Sequence, residues 1–422
     1  MKKMIFIVAC LIAEANAQLA VPLTLEAAYE NAIQNYPLVK QRDLIKQTTG
    51  LSIENINKGY LPQFNISAQA SYQSAVTSIS IPLPGITIQP PSKDQYKLVA
   101  EVNQLIYDGG LMNEQKKIQT LSEKLEEEKI NVELYKLYER INQLFLGILL
   151  LEEQIRQIDL VQNDIQTGIN KVTAQVNNGV SFKSNLNVLK AEYLKNEQRL
   201  IELQSNKNGL LDMLGLFINQ SLPPTTKLER PAMLLLAETP PIQRPELNLF
   251  SYQQNLISGQ EKIIQAKNLP KAGWFLQGGY GRPGLNFLKN EFAFFYTTGL
   301  RINWSLSGLY TQKREQQQLN INKKIVELQK ETFLLNTNSQ LLQVKAEMLK
   351  WKQLIEKDKE IIQLRENIKA AAQSQLDNGV ITANDFLREV NAADLARQSL
   401  IIHEMQGLQA QINYKTVAGL NK

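Results

Sequence analysis

The chain has almost none of the residues that metal or thiol chemistry requires. Its 422 residues include one cysteine, Cys10, and one histidine, His403. A lone histidine cannot build a metal cluster, and on a late helical stretch a packed or solvated side chain accounts for it. No nucleophile elbow, P-loop or zinc motif is present. Gly278-Gly279-Tyr280-Gly281 lacks the Lys-Ser/Thr and the following helix of a phosphate cradle. Glu126, Glu127 and Glu128 lie at salt-bridge spacing from Lys124 and Lys129, which suits a solvated helix flank better than acid–base work. The expectation is therefore a protein without bond chemistry, cofactor or metal. The net charge of +5 is mild for this length and no dense Lys/Arg cluster occurs, so nucleic acid is not an implied partner.

Long apolar runs are also missing. The longest, Leu144 to Leu151, has eight residues and contains Gly147, far short of the ~18 that argue for a membrane helix. The N-terminus carries Lys2 and Lys3, an apolar run from Met4 to Ala13, and Ala15-Asn16-Ala17, the pattern of a secretory signal over 1–17. Ile7-Val8-Ala9-Cys10 loosely matches a lipoprotein box, but the run before Cys10 is too short for the ~7–15 residues of a signal core. Cleavage after Ala17 removes the only cysteine, leaving a chain stabilised by packing or assembly. An exported chain without a membrane helix is either soluble or an outer-membrane β-barrel.

What the chain does contain, it contains twice. Asn177-Asn178-Gly179-Val180 returns as Asp377-Asn378-Gly379-Val380, shifted by 200. Pro37, Pro62 and Tyr72 return as Pro245, Pro270 and Tyr280, shifted by 208. Val102-Asn103 returns as Ile302-Asn303 at a shift of 200 again, so one copy lost eight residues between Tyr280 and Ile302. The expected organisation is a first repeat over 18–217, a linker over 218–244 and a second repeat over 245–422.

Each repeat has two alternating segments, expected as strands at 62–77, 94–107, 271–281 and 291–306. Phe64, Ile66, Ala68, Ala70 and Tyr72 alternate with Asn65, Ser67, Gln69 and Ser71. Phe292, Phe294, Tyr296, Leu300 and Ile302 share a face opposite Thr297, Gly299 and Arg301. The lengths suit membrane strands of ~9–11 residues, with aromatics at their ends. Half-buried strands of a soluble sandwich alternate in the same way. Four strands cannot close a barrel, for which about eight are needed, so lipid-type strands here would have to share one with sister copies. Three copies would supply twelve.

The remainder reads as helix. Proline is absent from 109–178, where Leu137, Ile141, Leu144, Ile148, Leu151, Ile155, Ile158, Ile165, Ile169, Val172 and Val176 follow steps of 4 and 3 that only Gln162 interrupts. The matching 309–378 carries a weaker stripe of Ile321, Ile325, Leu328, Leu335, Leu342 and Leu349. Both end at Asn-Gly, a helix stop, and the chain turns back into helices at 181–217 and 381–417. In the first of these, Phe182, Leu186, Leu189, Tyr193, Leu200 and Leu203 keep 4/3 spacing. Thr382-Ala383-Asn384-Asp385 reads as a capping box for the second. Shorter helices open at Pro37 and Pro245.

Leu25-Glu26-Ala27-Ala28 with Asn35-Tyr36-Pro37, Tyr60-Leu61-Pro62-Gln63, Leu269-Pro270, Ile106-Tyr107-Asp108-Gly109-Gly110 and the two Asn-Gly-Val turns, in this order and duplicated, resemble the TolC-like outer-membrane efflux proteins. Leu306-Ser307-Gly308-Leu309 departs from the Asp-Gly-Gly of the first copy. The resemblance implies a mixed α+β membrane protein: a homotrimer with a twelve-strand outer-membrane β-barrel continued by a periplasmic α-helical barrel. It implies a passive exit duct for efflux or type I secretion in the outer membrane of a Gram-negative bacterium. The implied partners are outer-membrane lipid, a periplasmic adaptor (membrane fusion) protein and an inner-membrane pump of RND or ABC type. Asn178, Gly179, Val180, Ser181, Asn378, Gly379, Val380 and Thr382 fall at the adaptor-docking tips, although hairpin geometry alone would require the glycines. Gln373, Gln375 and Asp377 fall where the family narrows its periplasmic aperture, without a paired acidic ring, and opening would shear the 309–378 helix past its neighbours. An exported coiled-coil scaffold without channel activity is the alternative, and a stand-alone porin would need no long helices.

Overall fold

The computed structural model describes residues 22–77, 90–232 and 241–421. The expected signal with Cys10, most of the first proline-rich loop and part of the linker lie outside them. The chain divides into two compact units. One comprises Lys40–Val132 and Pro245–Leu334, the other Met1–Val39, Glu133–Arg244 and Leu335–Lys422.

The first unit holds a four-stranded antiparallel sheet in sequence order: β1 (Gln63–Tyr72), β2 (Asp94–Tyr107), β3 (Lys271–Arg282) and β4 (Ala293–Asn303). Its register sorts side chains into rows. One face carries Phe64–Val102–Leu276–Thr298, then Ile66–Ala100–Gly278–Tyr296, then Ala68–Leu98–Tyr280–Phe294. The other carries Asn65–Glu101–Gln277–Thr297 and, one step away, Gln63–Asn103–Phe275–Gly299. The period-two alternation thus stays in phase across all four strands, as it must where one face meets an apolar medium. That face is bare within the chain: Phe64 is 74%, Ile66 79% and Phe294 86% exposed. β1 and β4 each have one strand neighbour, so both outer edges are unpaired among the described residues.

Two strands are shorter than the alternation suggested. β1 stops at Tyr72 rather than 77, with one further bond from Gln73 N to Lys93 O at 2.8 Å. Pro90 and Pro91 lie just before its partner β2 and have no N–H to extend the ladder. β4 spans Ala293–Asn303 rather than 291–306, because Trp304 already turns its indole N–H to Asn268 O at 3.0 Å. Aromatics do gather at a sheet end: Tyr280 lies 4.6 Å from Phe294 and 5.5 Å from Phe292, ring to ring.

Four helical segments share this unit. α2 (Gln41–Lys58) follows a short 3-10 turn, Pro37–Lys40, that takes the place of the first α-turn expected after Pro37. Arg42 Nη2 donates to Asn131 Oδ1 at 2.5 Å, tying α2 to the start of α3 (Leu111–Asn177). In the second half of the chain Lys323 Nζ reaches Glu261 at 2.9 Å, tying α5 (Pro245–Lys267) to the start of α6 (Gly308–Asp377). Asp108 is buried and caps the strand-to-helix joint, accepting from Gly110 N at 2.8 Å and Met112 N at 2.6 Å. α3 accordingly opens at Leu111, two residues later than expected, and α6, without such a cap, opens at Gly308.

The second unit is helical. It contains α1 (Leu25–Asn35), the remainder of α3 and α6, and the two returning helices α4 (Lys183–Ile218) and α7 (Ala383–Ala418). The expected stripe of α3 is core. Ile141, Phe145 and Ile148 are fully buried against Leu211, Leu214 and Leu408, and farther along Ile165 and Val172 meet Leu189, Leu376 and Phe386. Truncating a side chain such as Phe145 would cost about 3–5 kcal/mol. The stripe of α6 is not core: within this unit Leu335, Leu342 and Leu349 are exposed, and Leu341 and Val344 are buried instead. A heptad pattern reports that an apolar seam exists, not which neighbour fills it.

Candidate docking and gating site

The two hairpin tips have one geometry. Each long helix ends in a glycine with left-handed φ, +74° at Gly179 and +71° at Gly379. Val180 N bonds Gln175 O at 2.8 Å and Val380 N bonds Gln375 O at 2.9 Å, while each glycine N–H bonds back to Val176 O or Leu376 O. These six-to-one closures satisfy the last helical carbonyls, and only glycine adopts that φ without strain. Asn178 N bonds Ala174 O at 3.1 Å, and Asn378 Nδ2 bonds Ser374 O at 2.7 Å. The closures leave Val180 and Val380 more than 70% exposed.

The tips differ at the start of the returning helix. Thr382 and Asp385 form the expected box: Thr382 Oγ1 accepts from Asp385 N at 3.3 Å, and Asp385 Oδ2 accepts from Thr382 N at 3.2 Å. The Thr382 hydroxyl, then its backbone N–H, hold the Asp385 carboxyl below its ordinary range. At the other tip Phe182 takes the capping position, with no side-chain bond and 79% exposure. The 4/3 spacing places Phe182 in the apolar stripe. It lies one residue before α4 begins, in extended backbone, and so escapes the helix face. Ser181, which closes the first turn through its N–H to Gln175 O, accepts from Asn185 Nδ2 at 3.1 Å.

Of the aperture residues, Gln373 is half-buried and Gln375 and Asp377 are exposed. Gln373 Nε2 donates to Asp377 Oδ1 at 2.9 Å, so two of the three are brought together. The structure adds ties that the sequence reading did not contain. Lys369 Nζ on α6 reaches Asp164 Oδ2 on α3 at 2.8 Å and Glu366 on its own helix at 3.0 Å. Gln175 Nε2 donates to Leu376 O at 2.9 Å, and Lys171 lies 3.9 Å from Asp377. Arg365 meets Glu389 at 3.6 Å and Arg397 pairs with Glu366, which joins α6 to α7. The last turns of α6 are therefore held to both neighbouring helices by charge-assisted contacts.

Higher in the same unit Asp394 of α7 is buried. Burial is the main influence on its carboxyl and raises it above the ordinary 3.8, against hydrogen bonds from Gln157 and Gln398 and the nearby Arg199. His403 packs on Trp351 with ring centroids 5.4 Å apart and bonds Asp358 Oδ2 at 2.6 Å, so of the packed and solvated alternatives it takes the packed one. Among the described residues no group of three or more His, Cys, Asp or Glu side chains could hold a metal ion. No described helix is long and apolar enough to cross a membrane.

No family model and no curated protein matches the sequence. Solved structures do. The outer-membrane protein VceC of Vibrio cholerae is 14% identical with a TM-score of 0.65, covering 94% of this chain and 96% of its own. The Campylobacter jejuni outer-membrane channel CmeC is 13% identical at a TM-score of 0.62, covering 94% and 86%. The Neisseria gonorrhoeae outer-membrane channel MtrE, solved in an open state, is 12% identical at 0.62, covering 94% and 89%. The chain therefore has the fold of TolC-like outer-membrane channels.

Proposed function

We propose that this chain is one subunit of a passive outer-membrane exit duct, a homotrimer in a Gram-negative envelope that works with a periplasmic adaptor and an inner-membrane pump in efflux or type I secretion. One observation carries the reading. A four-stranded sheet exposes an apolar face row by row and leaves both edges unpaired. An exposed edge in lipid would strand its N–H and C=O groups, so the sheet must find its missing neighbours on other copies. Three copies give twelve strands, enough to close a barrel whose polar face lines a channel. The exposed seam on α6 gives the helices the same requirement.

On this reading the two halves, which share the order strand, strand, long helix, returning helix, descend from a duplicated unit. The chain enters the envelope by its 1–17 signal. Val180, Phe182 and Val380, with Asn178, Gly179, Ser181, Asn378, Gly379 and Thr382 shaping the turns, meet the adaptor. Gln373, Gln375 and Asp377 narrow the aperture, and the α6 ties hold it closed until the adaptor engages. The chain performs no bond chemistry itself.

The test is cysteine crosslinking between edge strands. Among double variants that pair Asn65→Cys, Ser67→Cys or Gln69→Cys on β1 with Thr297→Cys, Gly299→Cys or Arg301→Cys on β4, those brought into register by the stagger of a closed barrel are expected to form disulfide-linked trimers in outer-membrane fractions. A detergent-independent monomer in the soluble fraction would end the proposal and leave the coiled-coil scaffold.

A further inference from the structure

We propose that the cavity bounded by α1, the middle of α3 and the end of α7 binds a small organic monocation through an ammonium group. The cavity measures about 300 Å³ and lies wholly within the helical unit. That is the lower end of the range for small-molecule sites, ~300–1,000 Å³.

Its chemistry is specific. Tyr29, buried, and Tyr138 line it with their rings edge to face at 4.6 Å. The Tyr29 hydroxyl is committed to the Asn142 carbonyl, and burial, with help from the Glu26 charge, pushes it upward, so the ring stays neutral. Glu26 and Glu30, one turn apart on α1, line the cavity and are exposed at its mouth. Among the described lining residues Lys415 is the one basic side chain, set against the two carboxylates. No ion pair engages any of the three among the described residues. The side-chain carbonyl oxygen of Gln411, another lining residue, is buried without a hydrogen-bond partner.

Each feature asks for the same occupant. The Gln411 oxygen, buried with no donor, leaves the negative end of its dipole uncompensated beside the cavity. An aromatic ring face beside carboxylates favours a weakly solvated cation over a neutral or anionic molecule. The described carboxylates outnumber the described ammonium by one, which matches a single positive charge. The proposal rests on this cavity alone and stands or falls apart from the duct reading.

The experiment is equilibrium binding to the detergent-purified full chain, with benzylammonium as probe and benzyl alcohol as its uncharged counterpart. Benzylammonium is expected to bind saturably and benzyl alcohol not at the same concentration. The double variant Glu26→Gln with Glu30→Gln is expected to weaken benzylammonium about tenfold or more. Glu133→Gln, outside the cavity, serves as the matched control. Lys415→Met is expected to tighten binding several-fold by removing a like charge. Should the glutamine variant melt below the parent, the Lys415→Met result decides, since misfolding does not improve affinity. Absence of saturable binding by the parent, or equal affinity in the parent and the deciding variant, overturns the proposal.

Discussion

Replacing Ile66 by lysine decides which medium the sheet faces. Ile66 lies in a row with Ala100, Gly278 and Tyr296, near the middle of β2 and β3. No carboxylate lies in that row to neutralise an ammonium. If the face meets water, an exposed Ile→Lys change shifts stability by no more than about 0.5 kcal/mol. If it meets the bilayer midplane, the cost is ~2–4 kcal/mol per subunit. Summed over three subunits that reaches roughly 6–12 kcal/mol, comparable to the whole stability of a domain. Asn65→Lys supplies the control one residue away. It lies on the opposite face, in a row with Glu101, Gln277 and Thr297, and should be neutral in either medium. The assay is the amount of trimer in outer-membrane fractions, resolved by unheated gel electrophoresis. The expected result is loss of Ile66→Lys trimer with Asn65→Lys at parental level. Equal amounts of the two variants would refute the assignment of the apolar face to lipid.

Three further outcomes follow from the helical unit. Lys369→Met removes contacts to Asp164 and Glu366 whose carboxylates keep about a third of their exposure; discounted for that, the pair contributes roughly 1–3 kcal/mol. The open-to-closed ratio in planar bilayers should then rise ~5–150-fold, and parental conductance would remove Lys369 from the gate. Asp394 has a raised folded-state carboxyl, so its stabilising contribution is complete below about 3.8 and lost as pH rises through the folded value. The melting temperature of the parent relative to Asp394→Asn should therefore fall between pH 3 and pH 6, and a flat difference would contradict the burial. Gly379→Val forces a β-branched residue into φ of +71° at a cost of ~1–2 kcal/mol or more, read as faster amide exchange confined to the second tip.

The elements that sequence alone exposed were those written in local periodicity. Alternation at Phe64 to Tyr72 reports a strand because its period is set by the backbone itself. The steps from Leu137 to Val176 report a helix for the same reason, and Asn-Gly reports its end. What escaped was the identity of neighbours. The seam from Leu335 to Leu349 was visible, but its exposure within the chain was not, since exposure depends on what packs beside it. Phe182 fitted the heptad spacing yet sits one residue outside the helix that gives the spacing meaning. The Lys369–Asp164 tie joins positions 205 residues apart, beyond any local signal. One hint did exist. At the repeat shift of 200, Lys369 aligns with Ile169, a core residue, and Asp164 with Leu364. Charge at one position where its counterpart at the same spacing is apolar is the kind of difference that local periodicity does not register.

The pairing of β2 with β3 has a kinetic side. Tyr96 meets Arg282 only after the intervening helices α3, α4 and α5 have been synthesised. Until then β1 and β2 can form only a lone ribbon, which water does not stabilise. Distant pairing of this kind is slow, because the connecting chain must be ordered first. Local contacts let the helices form first, and the sheet, whose pairings span the chain, is expected to be the last part completed.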